Sequence, residues 1–147
     1  MRILCVFGQH NYGDPKRGDG YEYCNFIPAI RRLGHEVIFL ESWNRRAFAE
    51  AGIPNDFVQD NHSMSATAGT LRGLHYQRPP HAQDKLVRCT RGAIFDVAVD
   101  IRRGSPTYGR WAGVDLTAAN GKQLLVPKGF LHGFVTRAPD TEVQYKC

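Results

Sequence analysis

The stretch KLVRCTRGAIFDVAVDI, from Lys85 to Ile101, decides the fold because its side chains alternate along the chain. Asp96 and Asp100 fall on one face, and an apolar set falls on the other: Phe95, Val97, Val99 and Ile101. Alternation of this kind is typical of β-strands. Turn sequences such as RPPHAQD, TAANG, PKG and RAPD recur at short intervals around it. Residues 42–147 are therefore predicted to form a mainly β domain, a β-sandwich or barrel.

The first 41 residues have a different pattern, that of a Rossmann-like β-α-β segment. Arg2–Phe7 and His35–Leu40 are apolar enough for strands, and Tyr21–Leu33 has apolar residues at helical spacing. The loop GQHNYGDPKRGDG is rich in glycine but matches neither a P-loop nor GxGxxG. A short helix is predicted over 42–53, with Asn44 as its cap.

Composition excludes several classes of function. No apolar run approaches the roughly 20 residues of a membrane helix, so no membrane partner is expected. The formal net charge is +5, but the arginines occur as scattered pairs, which disfavours nucleic-acid binding. An anionic small ligand remains compatible with this charge. The four cysteines contain no CxxC pair, so a cytoplasmic location is predicted.

The stretch GTLRGLHYQ, Gly69–Gln77, carries an arginine and a histidine in a strand-like context. Strict alternation places Arg72 and His75 on opposite faces, so both reach one pocket only if Gly73 forms a bend or bulge. A histidine next to a cation is a candidate general base, although a structural histidine has the same local pattern.

Two further strands carry chemically unusual residues on apolar faces. Lys85 shares a face with Val87 and Cys89. It either extends its ammonium to water or directs a cation into a pocket, where it would stabilise developing negative charge. Tyr145, on the face of Val143 and Cys147, is either a buried hydrogen-bonded phenol or a general acid.

The sequence Pro127-x-Gly129-x-x-His132 resembles the second motif of cupin proteins. In metal-binding cupins the first motif supplies two histidines in HxH, whereas the matching place here reads His75-Tyr76-Gln77. With Gln77 in place of the second histidine, a three-histidine site cannot be completed. No catalytic metal is predicted.

From Phe39 to Cys147 the sequence resembles the dTDP-4-dehydrorhamnose 3,5-epimerase family. The resemblance is carried by FLESWNRRAFAEAGI, FVQDNHSMS, GTLRGLHYQ, KLVRCTRGAIFDVAVDIRRGSPTYG, QLLVPKGFLHGF and EVQYKC. It implies a cofactor-free homodimeric cupin jelly roll that epimerises C3 and C5 of dTDP-4-keto-6-deoxy-D-glucose. By motif, His75 would be the base, Tyr145 the acid, Lys85 the enolate-stabilising cation, His132 a pocket ligand, and Arg72, Gln59, Asn61 and Glu41 contacts of the nucleotide-sugar.

The resemblance has two departures. An arginine turn of the family is replaced by GHEVI, and the family pattern continues beyond Cys147 to further contacts and to an aspartate that orients the catalytic histidine. Residues 1–41 instead resemble the opening of a glycosyltransferase, which predicts a chimeric chain truncated at its C-terminus. The open alternatives are a non-catalytic nucleotide-sugar-binding cupin, a glycosyltransferase fragment, and a single-centre epimerase or ketoisomerase.

Overall fold

The computed structural model describes residues 2–5, 28–34 and 36–147, with the backbone alone for 2–5 and 36–39. The chain packs as two compact units, residues 1–56 and 57–147. The boundary predicted at residue 41 lies where one family resemblance ends and another begins. It stays a prediction. No helix in the described part of the chain is long and apolar enough to cross a membrane.

The first unit begins with two short parallel strands. β1 (Arg2–Cys5) pairs in parallel with β2 (Glu36–Phe39), and residues 28–32 between them are helical. Parallel neighbours require a crossover connection, so this order agrees with the predicted β-α-β segment. The predicted glycine-rich loop and the start of the predicted helix lie outside the described residues. The glycosyltransferase resemblance stays a prediction.

A short helix, α1 (Arg45–Glu50), follows. The Asn44 side chain accepts hydrogen bonds from the backbone N–H groups of Arg46 and Ala47, both at 3.1 Å. These bonds satisfy two of the donors that a helix start leaves unpaired. The predicted cap is confirmed, although the helix is shorter than the predicted 42–53.

The second unit consists of two four-stranded antiparallel sheets. The strands are β3 (Asp60–Ser65), β4 (Leu71–His75), β5 (Lys85–Arg91), β6 (Ala93–Asp100), β7 (Trp111–Thr117), β8 (Gln123–Val126), β9 (Phe130–Thr136) and β10 (Thr141–Lys146). The first sheet has the order β3-β10-β5-β8 and the second has the order β4-β9-β6-β7. Successive strands mostly cross from one sheet to the other, which is the connectivity of a jelly roll. The predicted fold is confirmed.

The core lies between the inner faces of the sheets. Its buried members are Val87, Cys89, Ile94, Ala98, Leu116, Val126, Phe134 and Val143. Because Val87 and Cys89 are in this core, the predicted face of Lys85 is the inner one. Tyr145 packs against the same core beside Val143, as its predicted face requires.

Strand β6 alternates as predicted, but its buried face is the one that carries the aspartates. Asp96 and Asp100 are 0% and 1% exposed and alternate with partly exposed apolar residues. Asp100 is compensated by Arg102, whose Nε and Nη2 donate to its carboxylate at 3.0 and 2.8 Å. Hydrogen bonds from Arg102 hold the pKa of the Asp100 carboxyl well below its usual range.

Candidate active site

His75 lies at the end of β4, and a bulge determines its direction. The register with β9 pairs Arg72 with Phe134 and His75 with His132, so three steps along β4 match two steps along β9. Directly opposed residues of neighbouring strands point to the same side of a sheet. Arg72 and His75 therefore share a face, because the register shift at Gly73 supplies the bulge that the sequence set as the condition for it.

Only glycine fits at the bulge itself. Gly73 has φ +109°, and a Cβ there would lie 2.6 Å from the carbonyl oxygen of His132 and 2.7 Å from the Cα of Gly133. A glycine allows both the positive φ and this close approach of β4 to β9.

Lys85 reaches His75 from the opposite sheet. Its Nζ lies 3.1 Å from the Nε2 of His75. An ammonium group can only donate, so the imidazole accepts at Nε2 and is neutral. Burial lowers the pKa of His75, and the charges of Lys85 and His132 lower it further. Burial also lowers the pKa of Lys85, against opposing effects of Cys147 and Asp96. The pair therefore combines a neutral base with a partly desolvated cation.

Tyr145 is the third predicted catalytic residue near this pair. In the register of β10 it lies opposite Val87 on one side and Asn61 on the other. The Nζ of Lys85 is 5.8 Å from the centroid of its ring. The ammonium of Lys85 thus lies near both the imidazole of His75 and the ring of Tyr145, although Tyr145 is not among the residues that line the adjoining pocket.

His132 forms a buried pair with Asp96. The sequence analysis named His132 as a site residue but not Asp96. The Nε2 of His132 is 2.7 Å from Oδ1 of Asp96, and the residues are 4% and 0% exposed. The rings of His132 and His75 meet edge to face with their centroids 6.0 Å apart. The sequence signal that could have revealed Asp96 is its place on the same strand face as Ile94 and Ala98, because side chains two residues apart in a strand share a face.

A pocket opens beside these side chains. Its lining consists of His75, Tyr76, Gln77, Gln83, Lys85, Val126, Gly129, Phe130 and His132. Three predicted site residues, His75, Lys85 and His132, are thus brought together around one space. Gln77, predicted to exclude a metal, lies in the same lining, while Gln83 and Phe130 were not predicted.

The residues predicted to contact the nucleotide-sugar, Arg72, Gln59, Asn61 and Glu41, are not part of this lining. Arg72 is bound to β3, where its Nε donates to Ser65 Oγ and its Nη2 to the Met64 carbonyl, both at 3.1 Å. Gln59 Nε2 donates to Asn61 Oδ1 at 2.8 Å. Glu41 belongs to the first unit and is exposed.

The described residues contain no cluster of three or more histidine, cysteine, aspartate or glutamate side chains suited to a metal ion. The absence of a catalytic metal stays a prediction. The chemistry that these residues support by themselves is proton transfer next to an oxyanion, with a base, a cation and a phenol.

Comparison with known proteins identifies relatives with this arrangement of strands. A family model described as dTDP-4-dehydrorhamnose 3,5-epimerase matches residues 33–147. The dTDP-4-dehydrorhamnose 3,5-epimerase of Sinorhizobium fredii is 58% identical over 109 residues, which are 74% of this chain and 54% of the relative. The chain thus spans about half the length of this curated relative.

Two solved structures are similar in fold. The Bacillus anthracis dTDP-4-dehydrorhamnose 3,5-epimerase with TDP and PPi bound superimposes with a TM-score of 0.71 at 55% identity, covering 72% of this chain and 61% of that one. The Legionella pneumophila dTDP-6-deoxy-D-glucose-3,5-epimerase in complex with dTDP-4-keto-L-rhamnose gives 0.69 at 50% identity, covering 73% and 56%. The chain belongs to the dTDP-4-dehydrorhamnose 3,5-epimerase family.

Proposed function

We propose that the chain epimerises C3 and C5 of dTDP-4-keto-6-deoxy-D-glucose to give dTDP-4-keto-L-rhamnose. The observation that carries the proposal is the 3.1 Å contact between His75 Nε2 and Lys85 Nζ, with the Tyr145 ring centroid 5.8 Å from the same Nζ. A base, a cation and an acid are the groups that inversion next to a ketone requires. Family membership and the nucleotide-sugar ligand of the Legionella enzyme support the substrate class.

The reaction begins with His75. The C4 ketone acidifies the hydrogens at C3 and C5, and neutral His75 removes one of them through Nε2. Lys85 must first leave Nε2, and the natural new acceptor for its ammonium is the C4 oxygen, which gains negative charge as the enolate forms. Tyr145 then donates a proton to the opposite face of the carbon, and the configuration inverts.

The remaining predicted residues complete the substrate site in this proposal. Arg72 binds the diphosphate with the guanidinium N–H groups that Ser65 and Met64 do not use. His132 contacts the sugar inside the pocket. Gln59 and Asn61 contact the nucleotide-sugar on the ground of the motif resemblance alone.

We also propose a homodimer, supported by the outer face of the second sheet. There the register places Val99 between Trp111 and Leu131, whereas Phe95, beside Val135, also lies opposite Asp115 and is covered by Arg137. Trp111, on edge strand β7, is 65% exposed. An apolar sheet face of this kind is typical of an obligate interface, and the occupant proposed is a second copy of the chain.

Sedimentation velocity tests the dimer. Trp111→Lys should shift the protein toward the monomer, because it places a charge in the apolar interface. Met64→Lys is the matched control, since Met64 is 59% exposed on the other sheet and should leave the dimer intact. A monomeric parent chain would contradict the homodimer.

A cytoplasmic location belongs to the same proposal. Cys89 and Cys147, the cysteines whose side chains the structure describes, are free thiols. Free thiols agree with a reducing compartment.

Hydrogen exchange tests the activity. The full chain is incubated with dTDP-4-keto-6-deoxy-D-glucose in heavy water, and the sugar is analysed by mass spectrometry and NMR. Deuterium should enter at both C3 and C5. Incorporation at one carbon only would indicate a single-centre epimerase, and binding of dTDP without any exchange would indicate a non-catalytic cupin. Either result contradicts the proposal.

A further inference from the structure

Arg102 contacts two residues of the pocket wall without lining the pocket itself. Its guanidinium carbon lies over the Phe130 ring, 4.6 Å from the ring centroid. Its stem lies against Gly129, since a Cβ on that glycine would be 2.7 Å from Cγ of Arg102 and 3.1 Å from Cδ. Gly129 and Phe130 line the pocket, whereas Arg102 does not. Arg102 therefore acts on a ligand only through these two residues.

The orientation of Arg102 is fixed by Asp100, which is 1% exposed. The backbone N–H of Arg102 and its Nε donate to Oδ1 of Asp100 at 2.9 and 3.0 Å, and its Nη2 donates to Oδ2 at 2.8 Å. The hydroxyls of Ser105 and Thr107 donate to the same Oδ2, both at 2.6 Å. Paired N–H···O bonds to one carboxylate determine the plane of a guanidinium. The arginine is thus held in one orientation although its side chain is 49% exposed.

The turn before β9 carries this part of the wall, and two backbone hydrogen bonds hold it. The N–H of Ile101 donates to the carbonyl of Gly129 at 3.3 Å, and the N–H of Lys128 donates to Oδ1 of Asp84 at 2.8 Å. These bonds fix the backbone, whereas the Phe130 ring is only partly buried against the core. A guanidinium over the face of an aromatic ring is attracted by the ring and can stack on it, so it restrains the side chain.

We propose that Arg102, oriented by Asp100, is a positioning residue that holds the Phe130 ring in place as a wall of the sugar site. Phe130 shares the lining with His75 and Lys85, so the sugar is the part of the ligand that lies beside it. A side chain that is ordered before binding reduces the entropy lost when the ligand binds. The inference rests on the proposed function for the identity of the ligand, whereas the contact between Arg102 and Phe130 is testable without one.

Arg102→Met removes the charge and keeps most of the length of the stem. Asp100 then retains its two hydroxyl donors, so the chain should fold with reduced stability. Arg102→Lys keeps a cation but not the planar pair of bonds to Asp100, so it should recover part of the effect. Arg103→Met is the matched control, because Arg103 is the exposed neighbour in the same loop and is not in the pocket lining.

The first measurement is calorimetric binding of dTDP and of dTDP-D-glucose, which lacks the ketone and does not react. Arg102→Met should weaken dTDP-D-glucose roughly three- to tenfold and leave dTDP unchanged, because the less ordered side chain lies beside the sugar. Arg103→Met should bind both ligands as the parent does. Unchanged binding of dTDP-D-glucose in Arg102→Met, or equal weakening of both ligands, would overturn the proposal.

A double-mutant cycle tests whether Arg102 acts through the Phe130 ring. The chain that carries both Arg102→Met and Phe130→Leu should bind dTDP-D-glucose no more weakly than Phe130→Leu alone, because residues that act through one contact are not additive. Additive losses would show that Arg102 affects the pocket by another route and would overturn the proposal.

The contact itself is tested by nitrogen-15 and proton NMR of the arginine Nε–H groups in the full chain without ligand. The Nε–H signal of Arg102, identified by its loss in Arg102→Lys, should be shifted upfield by the ring current of Phe130 and should move back in Phe130→Leu. A signal that does not move would overturn the proposal even if Arg102→Met did not fold. If the parent chain binds neither ligand, the proposed function fails, and the NMR signal alone supports or overturns the role of Arg102.

Discussion

Lys85 Nζ lies 3.1 Å from His75 Nε2 although the two residues belong to different sheets of the jelly roll. Lys85 lies on the inner face of β5, and His75 lies on the edge strand β4, which bulges at Gly73. A neutral imidazole and an ammonium stabilise each other through this hydrogen bond, and a substrate ketone offers the ammonium another acceptor. The proposed chemistry depends on this exchange of partners.

The pH dependence of the reaction follows from the two groups. Burial, Lys85 and His132 place the pKa of His75 below its ordinary value of 6.5, so His75 stays neutral to lower pH than a free histidine. Burial likewise places the pKa of Lys85 below 10.5. A profile of kcat/KM should therefore fall on its acid side below pH 6.5 and on its alkaline side below pH 10.5. An acid limb at or above pH 6.5 would contradict the assigned environment of His75.

Replacing Lys85 by methionine should have two effects. Loss of the cation next to the enolate should reduce kcat by roughly 10²- to 10³-fold. The acid limb should also move to higher pH, because one of the charges that lower the pKa of His75 is gone. Lys122→Met, in the exposed segment that follows the turn at 118–120, should change neither quantity. A Lys85→Met chain with unchanged kcat would exclude Lys85 from the chemistry.

Gly73→Ala tests the bulge. Its Cβ would meet the backbone of His132 and Gly133 at 2.6 and 2.7 Å, at a φ of +109°. The free energy of unfolding, measured with urea, should fall by at least about 2 kcal/mol, and exchange activity should fall as His75 shifts. Gly69→Ala has a similarly positive φ of +79° but no atom within 4 Å, so its loss should be smaller. Equal losses would show that the close contact with β9 is not what requires glycine.

Much of this site could be predicted because strands have a fixed period. The faces of Lys85 and Tyr145 follow from alternation with their apolar neighbours. Alternation alone put Arg72 and His75 on opposite faces, and it named a bulge at Gly73 only as the condition for a shared face. Asp96 was missed because an aspartate in an alternating strand normally faces water. Its partner, His132, comes from a strand 36 residues later, and no local pattern shows this pairing.

The roles of Arg72, Gln59, Asn61 and Glu41 rest on the family motifs rather than on geometry. Within the second unit, Arg72 donates hydrogen bonds to Ser65 and Met64, and Gln59 donates one to Asn61. Side-chain contacts of this kind depend on how edge strands meet, which a strand period does not specify.

The most direct test of the proposed site is the rate of deuterium exchange at C3 and C5 of dTDP-4-keto-6-deoxy-D-glucose in His75→Ala and Tyr145→Phe. His81→Ala and Tyr108→Phe serve as matched controls, since both residues are exposed and lie outside the pocket lining. Exchange should fall by about 10²-fold or more in His75→Ala, because the base is lost, and substantially in Tyr145→Phe, while both controls keep the parent rate. Exchange at the parent rate in both His75→Ala and Tyr145→Phe would contradict the assignment of base and acid.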